Sequence, residues 1–218
     1  VSAIPAQTYD FGREITPDVT VKYDGKVLTK NVDYKLAYTD NINVGTATVS
    51  IVGIGGYNKS VSKTFAIKAA DISKGELILK GTSFVYTGEA INPSVTRLML
   101  TVAEGTEIIT DLASFDVKYT DNVNAGKATI TVTGTGDYKG QTGTTFVIEQ
   151  YDITSAGLVL ESDSYTYSGS EIKPEVKSIT AGNRKITPGS DFDVAYSNNI
   201  KKGTGTVSLT ARANTNYK

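Results

Sequence analysis

An internal repeat of about 80 residues constrains the fold of this chain more than any other feature. One set of similar segments, which begin at residues 38, 119 and 196, reads YTDNINVGTATVSIVGIGGY, YTDNVNAGKATITVTGTGDY and YSNNIKKGTGTVSLTARANTNY. A second set, which begins at residues 9, 86 and 167, reads YDFGREITP, YTGEAINP and YSGSEIKP. Within each set, successive segments begin 77 or 81 residues apart. The two sets of segments, called anchors here, therefore indicate independently that the chain contains three copies of one unit.

The anchors predict three domains: repeat 1 (1–69), repeat 2 (70–150) and repeat 3 (151–218). Repeats 1 and 2 end in a T-F-x-I segment, at 64–67 and 145–148, and repeat 3 has no counterpart. We therefore expect the third module to be an incomplete sandwich with an open strand edge. We also expect the chain to be a fragment of a longer array, cut slightly out of phase with its modules.

Apolar and polar residues alternate within each repeat. Tyr34, Leu36 and Tyr38 share one side of a strand pattern, and the segment A-T-V-S-I from Ala47 continues the alternation. A period of two predicts strands with one buried and one solvated face. Turn residues such as the Asp24-Gly25 pair separate the strands and predict a tight hairpin. Six or seven strands per repeat predict an all-β fold, a tandem array of three Ig-like β-sandwich modules.

Several motifs recur in fixed order: Y-x-G-x-x-I-x-P, D-[YF]-x-[VL]-x-Y-[TS]-[DN]-N, G-x-G-x-Y and T-F-x-I. They resemble the tandem Ig-like repeats of the YDG/MBG type in large secreted or cell-wall-attached bacterial proteins, over essentially the whole chain. Repeat 3 departs from the pattern with ARANTNY in place of G-x-G-x-Y. The resemblance implies an extracellular spacer or stalk module beside flanking domains, and it implies neither a catalytic residue nor a cofactor.

Composition excludes several classes of function. The formal net charge is −1, from 22 basic and 23 acidic residues, which does not favour nucleic acid or an anionic membrane as a partner. Cysteine and histidine are absent, so thiol nucleophiles, histidine-based triads and disulfides are excluded. Apolar runs are too short to cross a bilayer. We expect no enzyme, because acid pairs such as Asp191 and Asp193 have no predicted cleft and are expected to be solvated.

Two kinds of chemistry stay open at the repeated polar positions. The pairs Asp40-Asn41, Asp121-Asn122 and Asn198-Asn199 offer oxygen ligands to calcium, or they cap turns with their side chains. The turn is the favoured interpretation, because the third pair has lost its acid. An isopeptide link from a lysine to an Asn or Asp side chain is a further alternative. The sequence does not mark any one lysine as the partner in such a link.

Six residues are candidates for a ligand surface: Phe84, Leu98, Met99, Leu100, Tyr151 and Tyr165. The three aromatic residues stand outside the main repeated positions, and aromatic rings suit sugar stacking. The three apolar residues belong to a hairpin that is longer in repeat 2 than in the other repeats. The competing interpretation is core packing, which we also expect for the repeated tyrosines, including Tyr9, Tyr86 and Tyr167.

These observations predict a non-catalytic structural segment that projects a functional domain of a cell-surface or secreted protein. Its expected partners are the flanking domains of a longer polypeptide. The alternative is an adhesin module that binds a carbohydrate or a host protein, at the repeat 2 hairpin or at a groove between modules.

Overall fold

The computed structural model describes residues 1–102, 105–182 and 184–218, and this part of the chain contains strands and loops but no helix. Strands account for 49% of the chain, which confirms the all-β prediction. Within the described ranges no helix has the length and apolarity that a membrane span requires.

Twenty strands lie in the described part of the chain. Those of repeat 1 are β1 (Gln7–Thr8), β2 (Lys22–Tyr23), β3 (Lys26–Val27), β4 (Tyr34–Thr39), β5 (Gly45–Gly53) and β6 (Ser60–Lys68). Those of repeat 2 are β7 (Ala70–Asp71), β8 (Glu76–Leu79), β9 (Ser83–Val85), β10 (Val95–Val102), β11 (Gly105–Ile109), β12 (Phe115–Thr120), β13 (Gly126–Gly134), β14 (Tyr138–Lys139) and β15 (Gln141–Glu149). Those of repeat 3 are β16 (Gly157–Leu160), β17 (Val176–Ala181), β18 (Arg184–Ile186), β19 (Phe192–Ser197) and β20 (Thr206–Ala211).

The main sheet of repeat 1 has the order β1-β6-β5-β4. Strand β6 carries the T-F-x-I segment; it runs antiparallel to β5 and parallel to β1. The predicted hairpin is confirmed as β2-β3, and Asp24 and Gly25 at its turn have φ of 45° and 77°. Positive φ at both central residues is the geometry of a type I′ turn, which suits a two-residue hairpin.

Repeat 2 has a corresponding sheet of order β12-β13-β15-β9. Its closing strand β15 pairs in parallel with β9, so Ile148 opposes Phe84 as Ile67 opposes Gln7 in repeat 1. A second sheet, β11-β10-β8, contains the longer hairpin of this repeat. Residues 103 and 104, which lie in sequence between β10 and β11, are outside the described residues.

Repeat 3 forms two smaller sheets, β16-β17-β18 and the two-stranded β19-β20. Strand β20 corresponds to β5 and β13, each of which lies between two partners in a four-stranded sheet. Within the described residues, β20 pairs with β19 alone.

Contacts divide the chain into two compact units. Unit 1 comprises Val1–Lys80, Ser94–Lys118 and Ile130–Thr144, and unit 2 comprises Gly81–Pro93, Tyr119–Thr129 and Thr145–Lys218. In unit 1, core clusters form around Tyr34 and Val49 and around Phe65 and Ile67. In unit 2, a cluster forms around Ile179 and Phe192.

The turn that follows β4, β12 and β19 has the same geometry in all three repeats. Asp40, Asp121 and Asn198 have φ of 56°, 56° and 53°. Asp and Asn adopt this left-handed conformation more readily than other non-glycine residues. The side chain of the asparagine that follows each of them donates to a backbone carbonyl, those of Ile15, Ile91 and Ile172. The repeated Asx pairs are thus turn residues that tie two segments of one repeat together.

The hydroxyl groups of three repeated tyrosines also make the same type of hydrogen bond. Tyr38 donates to the carbonyl of Pro17, and the corresponding bonds join Tyr119 to Pro93 and Tyr196 to Pro174, at 2.7, 2.8 and 2.8 Å. Burial raises the pKa of Tyr38 and of Tyr119 above the ordinary value. These rings pack at the sheet, as predicted, and their polar tips are satisfied by backbone.

Candidate functional site

Three of the six candidate ligand residues lie on β10 in unit 1. Leu98 and Leu100 are 0% and 4% exposed, and Met99 between them is half-buried. The side chains of Leu98 and Leu100 therefore belong to the interior, which was the competing interpretation of this apolar run. Leu100 also borders a depression in unit 1, described below.

The other three candidates lie in unit 2 and have different surroundings. The half-buried ring of Phe84 packs edge-to-face on Phe146, with 5.8 Å between ring centroids. Tyr151 lies beneath the guanidinium of Arg184, whose Cζ is 4.8 Å from the ring centroid. Tyr165 is 45% exposed and lines a groove. Of the six, Tyr165 is therefore the residue that combines an exposed ring with a concave surface.

This groove, called the unit 2 groove here, has a volume of about 400 Å³, within the usual range of binding sites. Residues from two chain segments, 162–167 and 203–207, line it. Ile172, Pro174 and Tyr196 line it as well. Tyr167 at its edge is 61% exposed, whereas we predicted core packing for this ring together with Tyr9 and Tyr86, which are both half-buried.

Four residues that line the unit 2 groove hold the same repeat positions as residues of a core cluster in repeat 1. There, Phe65 of β6 is 3% exposed and packs with Ile15, Ala47, Tyr9 and Tyr38. The residues at the same repeat positions in repeat 3 all line the unit 2 groove: Ile172, Gly205, Tyr167 and Tyr196. The lining of the groove thus corresponds, by repeat position, to the residues that pack with Phe65 in repeat 1.

Side chains of β20 are more exposed than their counterparts. Val49 and Ile130 are both 0% exposed, and Val207 at the same repeat position is half-buried. Leu209 is likewise half-buried, whereas its counterparts Ile51 and Val132 are buried. Among the described residues β20 pairs with β19 alone, whereas β5 and β13 have neighbours on both edges.

A second depression, called the unit 1 groove here, has a volume of about 730 Å³ and lies between residues 7–17, 70–74 and 100–102. Arg13 crosses it with ion pairs to Asp10 at 2.6 Å and Glu107 at 2.7 Å, and its guanidinium lies 5.7 Å from the ring centroid of Phe11. The hydrogen bond from Arg13 holds the pKa of Asp10 below its ordinary value. Arg13 thus already has ionic and aromatic partners at this surface.

Two sets of contacts join successive repeats. In unit 1, the amide of Val44 donates to Oδ1 of Asp137 at 2.7 Å, and Tyr9 packs edge-to-face on Tyr138. We call these four residues junction 1–2.

In unit 2, the amide of Ala125 donates to Oδ1 of Asn216 at 2.7 Å, and Tyr86 packs edge-to-face on Tyr217. We call these four residues junction 2–3. The ring centroids are 5.4 Å apart in junction 1–2 and 5.6 Å apart in junction 2–3, and the interplanar angle is 85° in both. The sequence signal that identifies the junctions is the Asp or Asn directly before the tyrosine that closes the second and third long segments.

Tyr138 and Tyr217, one in each junction, have raised pKa values. Burial, followed by the proximity of Tyr9, raises the pKa of Tyr138 to about 12. Burial also raises the pKa of Tyr217, and Tyr86 adds to this while Arg184 opposes it. A buried phenol beside a second phenol resists ionisation because the anion has lost its hydration.

Among the residues that the structure describes, no group of three or more acidic, histidine or cysteine side chains is placed to hold a metal ion. No family model matches the chain, and no curated protein or solved structure shows significant similarity to it.

Proposed function

We propose that this chain is a non-catalytic spacer segment of a bacterial cell-surface or secreted protein. In this proposal three Ig-like β-sandwich modules follow one another, and the array holds flanking domains at a set separation. The observation that carries the proposal is the recurrence of one contact set at junctions 1–2 and 2–3.

Recurring junctions support a spacer because each repeat then contacts its neighbour in the same way. In repeat proteins, such nearest-neighbour interfaces transmit order along the chain. The segments that connect the repeats are short and contain no Gly- or Ser-rich linker, so flexibility of that kind is not built into them. Exposed or half-buried hydroxyl side chains alternate with buried apolar ones on β5, as expected for a strand with one solvated face.

The spacer proposal is tested by attaching a fluorescent donor domain to one end of the chain and an acceptor domain to the other. A Gly/Ser linker of equal length serves as the matched control. We expect a narrow distribution of single-molecule transfer efficiencies for the repeat chain and a broad one for the linker. Equal widths would contradict the proposal. The cell-surface location is tested separately, by labelling intact bacteria that encode the chain with antibody against it.

A binding module is the second candidate function, and the exposed rings of Tyr165 and Tyr167 in the unit 2 groove favour it. Adjacent exposed aromatic rings provide apolar faces for a carbohydrate or for a host protein. A glycan array probed with the chain tests the carbohydrate case. Retention that is lost in Tyr165→Ala and kept in Tyr23→Ala, an exposed ring elsewhere in the chain, would support it.

A further inference from the structure

We infer that charged residues at two equivalent positions, with their signs exchanged between junctions, determine which repeat docks on which. One position lies in the anchor loop of a repeat, residues 9–15 in repeat 1 and 86–91 in repeat 2. The other lies on a hairpin of the next repeat, β10-β11 or β17-β18. The inference rests on the three-repeat organisation in the proposed function, but it does not depend on the spacer role or on the cellular location.

Glu107 and Arg184 hold the same position on equivalent hairpins. Glu107 of β11 opposes Leu100 of β10, and Arg184 of β18 opposes Ala181 of β17. Two residues further along, each hairpin pairs two buried apolar residues, Leu98 with Ile109 and Ile179 with Ile186. The hairpin position therefore carries an anion in repeat 2 and a cation in repeat 3.

Arg13 and Glu89 likewise hold the same position in the two anchor loops. Each lies two residues before an isoleucine whose amide donates to an asparagine carbonyl at 2.8 Å, Ile15 to Asn41 and Ile91 to Asn122. The loop position therefore carries a cation in repeat 1 and an anion in repeat 2. The signs are the reverse of those on the hairpins that follow.

In unit 1 the loop and the hairpin form an ion pair. Nη2 of Arg13 lies 2.7 Å from Oε1 of Glu107, and the Glu107 side chain is only 25% exposed. Arg13 also binds Asp10 of its own loop. Glu107 is thus the partner through which Arg13 reaches from repeat 1 to repeat 2.

In unit 2 the arginine reaches the loop from the hairpin side. Nη1 of Arg184 donates to the carbonyl of Tyr86 at 2.9 Å, and its guanidinium lies 5.5 Å from the ring centroid of Tyr86. A Cβ placed on Gly88 would stand 3.3 Å from Nη2 of Arg184. The cation therefore lies beside the residue that directly precedes Glu89.

The wrong combinations would place like charges together. Repeat 3 on the anchor loop of repeat 1 would bring Arg184 to Arg13, and repeat 2 on the loop of a second repeat 2 would bring Glu107 to Glu89. The tyrosine pair and the amide bond are alike at junctions 1–2 and 2–3, so they do not distinguish one repeat from another. Charge does distinguish them, because specificity needs a contact that the wrong partner lacks or that repels it. Misassembly between similar neighbours is a characteristic failure of repeat proteins.

The experiment measures amide hydrogen exchange by NMR in the full chain. Glu107→Arg places the repeat 3 charge against Arg13, and Arg184 shows that the hairpin position accepts an arginine. We expect exchange at the amide of Val44, in junction 1–2, to become at least about threefold faster, because an ion pair is replaced by two like charges. The double variant Arg13→Glu with Glu107→Arg should recover at least about half of that change on a logarithmic scale.

Two controls separate pairing from a general effect of charge. Asp116→Arg makes the same change of charge on an exposed strand residue of unit 1, where repeat 1 has Lys35, and should leave the exchange rate of Val44 unchanged. Salt at 1 M reduces the screening length to about 3 Å, so the effect of Glu107→Arg should shrink there.

Junction 2–3 provides the reverse test. Arg184→Glu and Arg184→Gln both remove the cation, but the glutamate also places a second negative charge beside the loop that carries Glu89. We expect exchange at the amide of Ala125 to be faster in the glutamate variant than in the glutamine variant. That difference should disappear when Glu89→Gln is added.

Three results would overturn the inference: an unchanged rate at Val44 in Glu107→Arg, a double variant no closer to wild type than Glu107→Arg, or an acceleration as large in 1 M salt as at low salt. The donor–acceptor measurement uses the wild-type chain and contains none of these variants. A broad transfer distribution would therefore reject the spacer while the charge pairing stands, and failed rescue would reject the pairing while the spacer stands.

Discussion

Tyrosine residues in this protein perform three different tasks. Tyr38 and its repeat counterparts fix two segments of one repeat through hydroxyl bonds to proline carbonyls. Tyr138 and Tyr217 pack at the junctions between repeats. Tyr165 and Tyr167 are exposed at the unit 2 groove. The large, amphipathic ring suits each task, because it buries area while its hydroxyl group keeps a polar partner or water.

The buried phenol of Tyr138 predicts a dependence of stability on alkaline pH. Its pKa is raised from 10.0 to about 12 in the folded chain. The unfolded chain therefore loses this proton first, so the stabilisation is complete below about pH 10 and is lost as the pH rises toward about 12. Urea unfolding of wild type and of Tyr138→Phe across this range measures the effect. We expect a shallower decline in the variant, and an identical decline would contradict the prediction.

The left-handed turn residues predict a second effect at the residue scale. Asp40 has a φ of 56°, a conformation that a β-branched side chain adopts poorly. We expect Asp40→Val to lower the free energy of unfolding by about 1–2 kcal/mol. Asp40→Asn is the matched control, since Asn198 occupies the same position in repeat 3 with a φ of 53°. Urea midpoints compare the two, and a valine variant as stable as the asparagine variant would disprove the strain.

At the scale of elements, the same strand recurs in the three repeats and has two different settings. β5 and β13 each have partners on both edges, and β20 pairs with β19 alone in the described part of the chain. The alternation of apolar residues is the same in all three strands. Pattern alone therefore predicted the buried face correctly for Val49 and Ile130, while Val207, on the strand that pairs with β19, is half-buried.

This difference predicts unequal costs for one substitution at one repeat position. Val49→Ala removes two carbons from a fully buried site and should lower the free energy of unfolding by about 2–3 kcal/mol. Val207→Ala should cost less than about 1 kcal/mol, because part of that side chain already contacts water. Chemical denaturation measures both. Equal costs would mean that β20 is covered as completely as β5.

At the scale of the whole molecule, the contacts between successive repeats recur. Junction 1–2 and junction 2–3 repeat the same hydrogen bond and the same ring pair within units 1 and 2 respectively. Asp137 and Asn216 each accept a bond from a loop amide of the preceding repeat. A side-chain acceptor at this position is therefore what the two junctions share.

We expect junction 1–2 to open more readily when the side-chain acceptor of Asp137 is removed. Asp137→Ala should speed hydrogen exchange at the amide of Val44 about tenfold, since a hydrogen bond to a charged group contributes about 1.5–3 kcal/mol. Asp137→Asn keeps an acceptor, as Asn216 does in junction 2–3, and should change the rate much less. Exchange at the amide of Val49, inside the strand, serves as the internal reference. Equal rates in the two variants would contradict the role given to Asp137.

The sequence by itself determined the all-β class, the repeat, the Asp24-Gly25 hairpin and the Asx turns, because alternation and turn chemistry are local properties of the chain. The tertiary structure decided which apolar faces are covered. Leu98 and Leu100, proposed as ligand residues, lie in the interior, and Tyr167, expected in the core, is exposed. The physical reason is that a periodic pattern specifies which side of a strand is apolar, whereas burial depends on which elements from distant parts of the chain pack against that side.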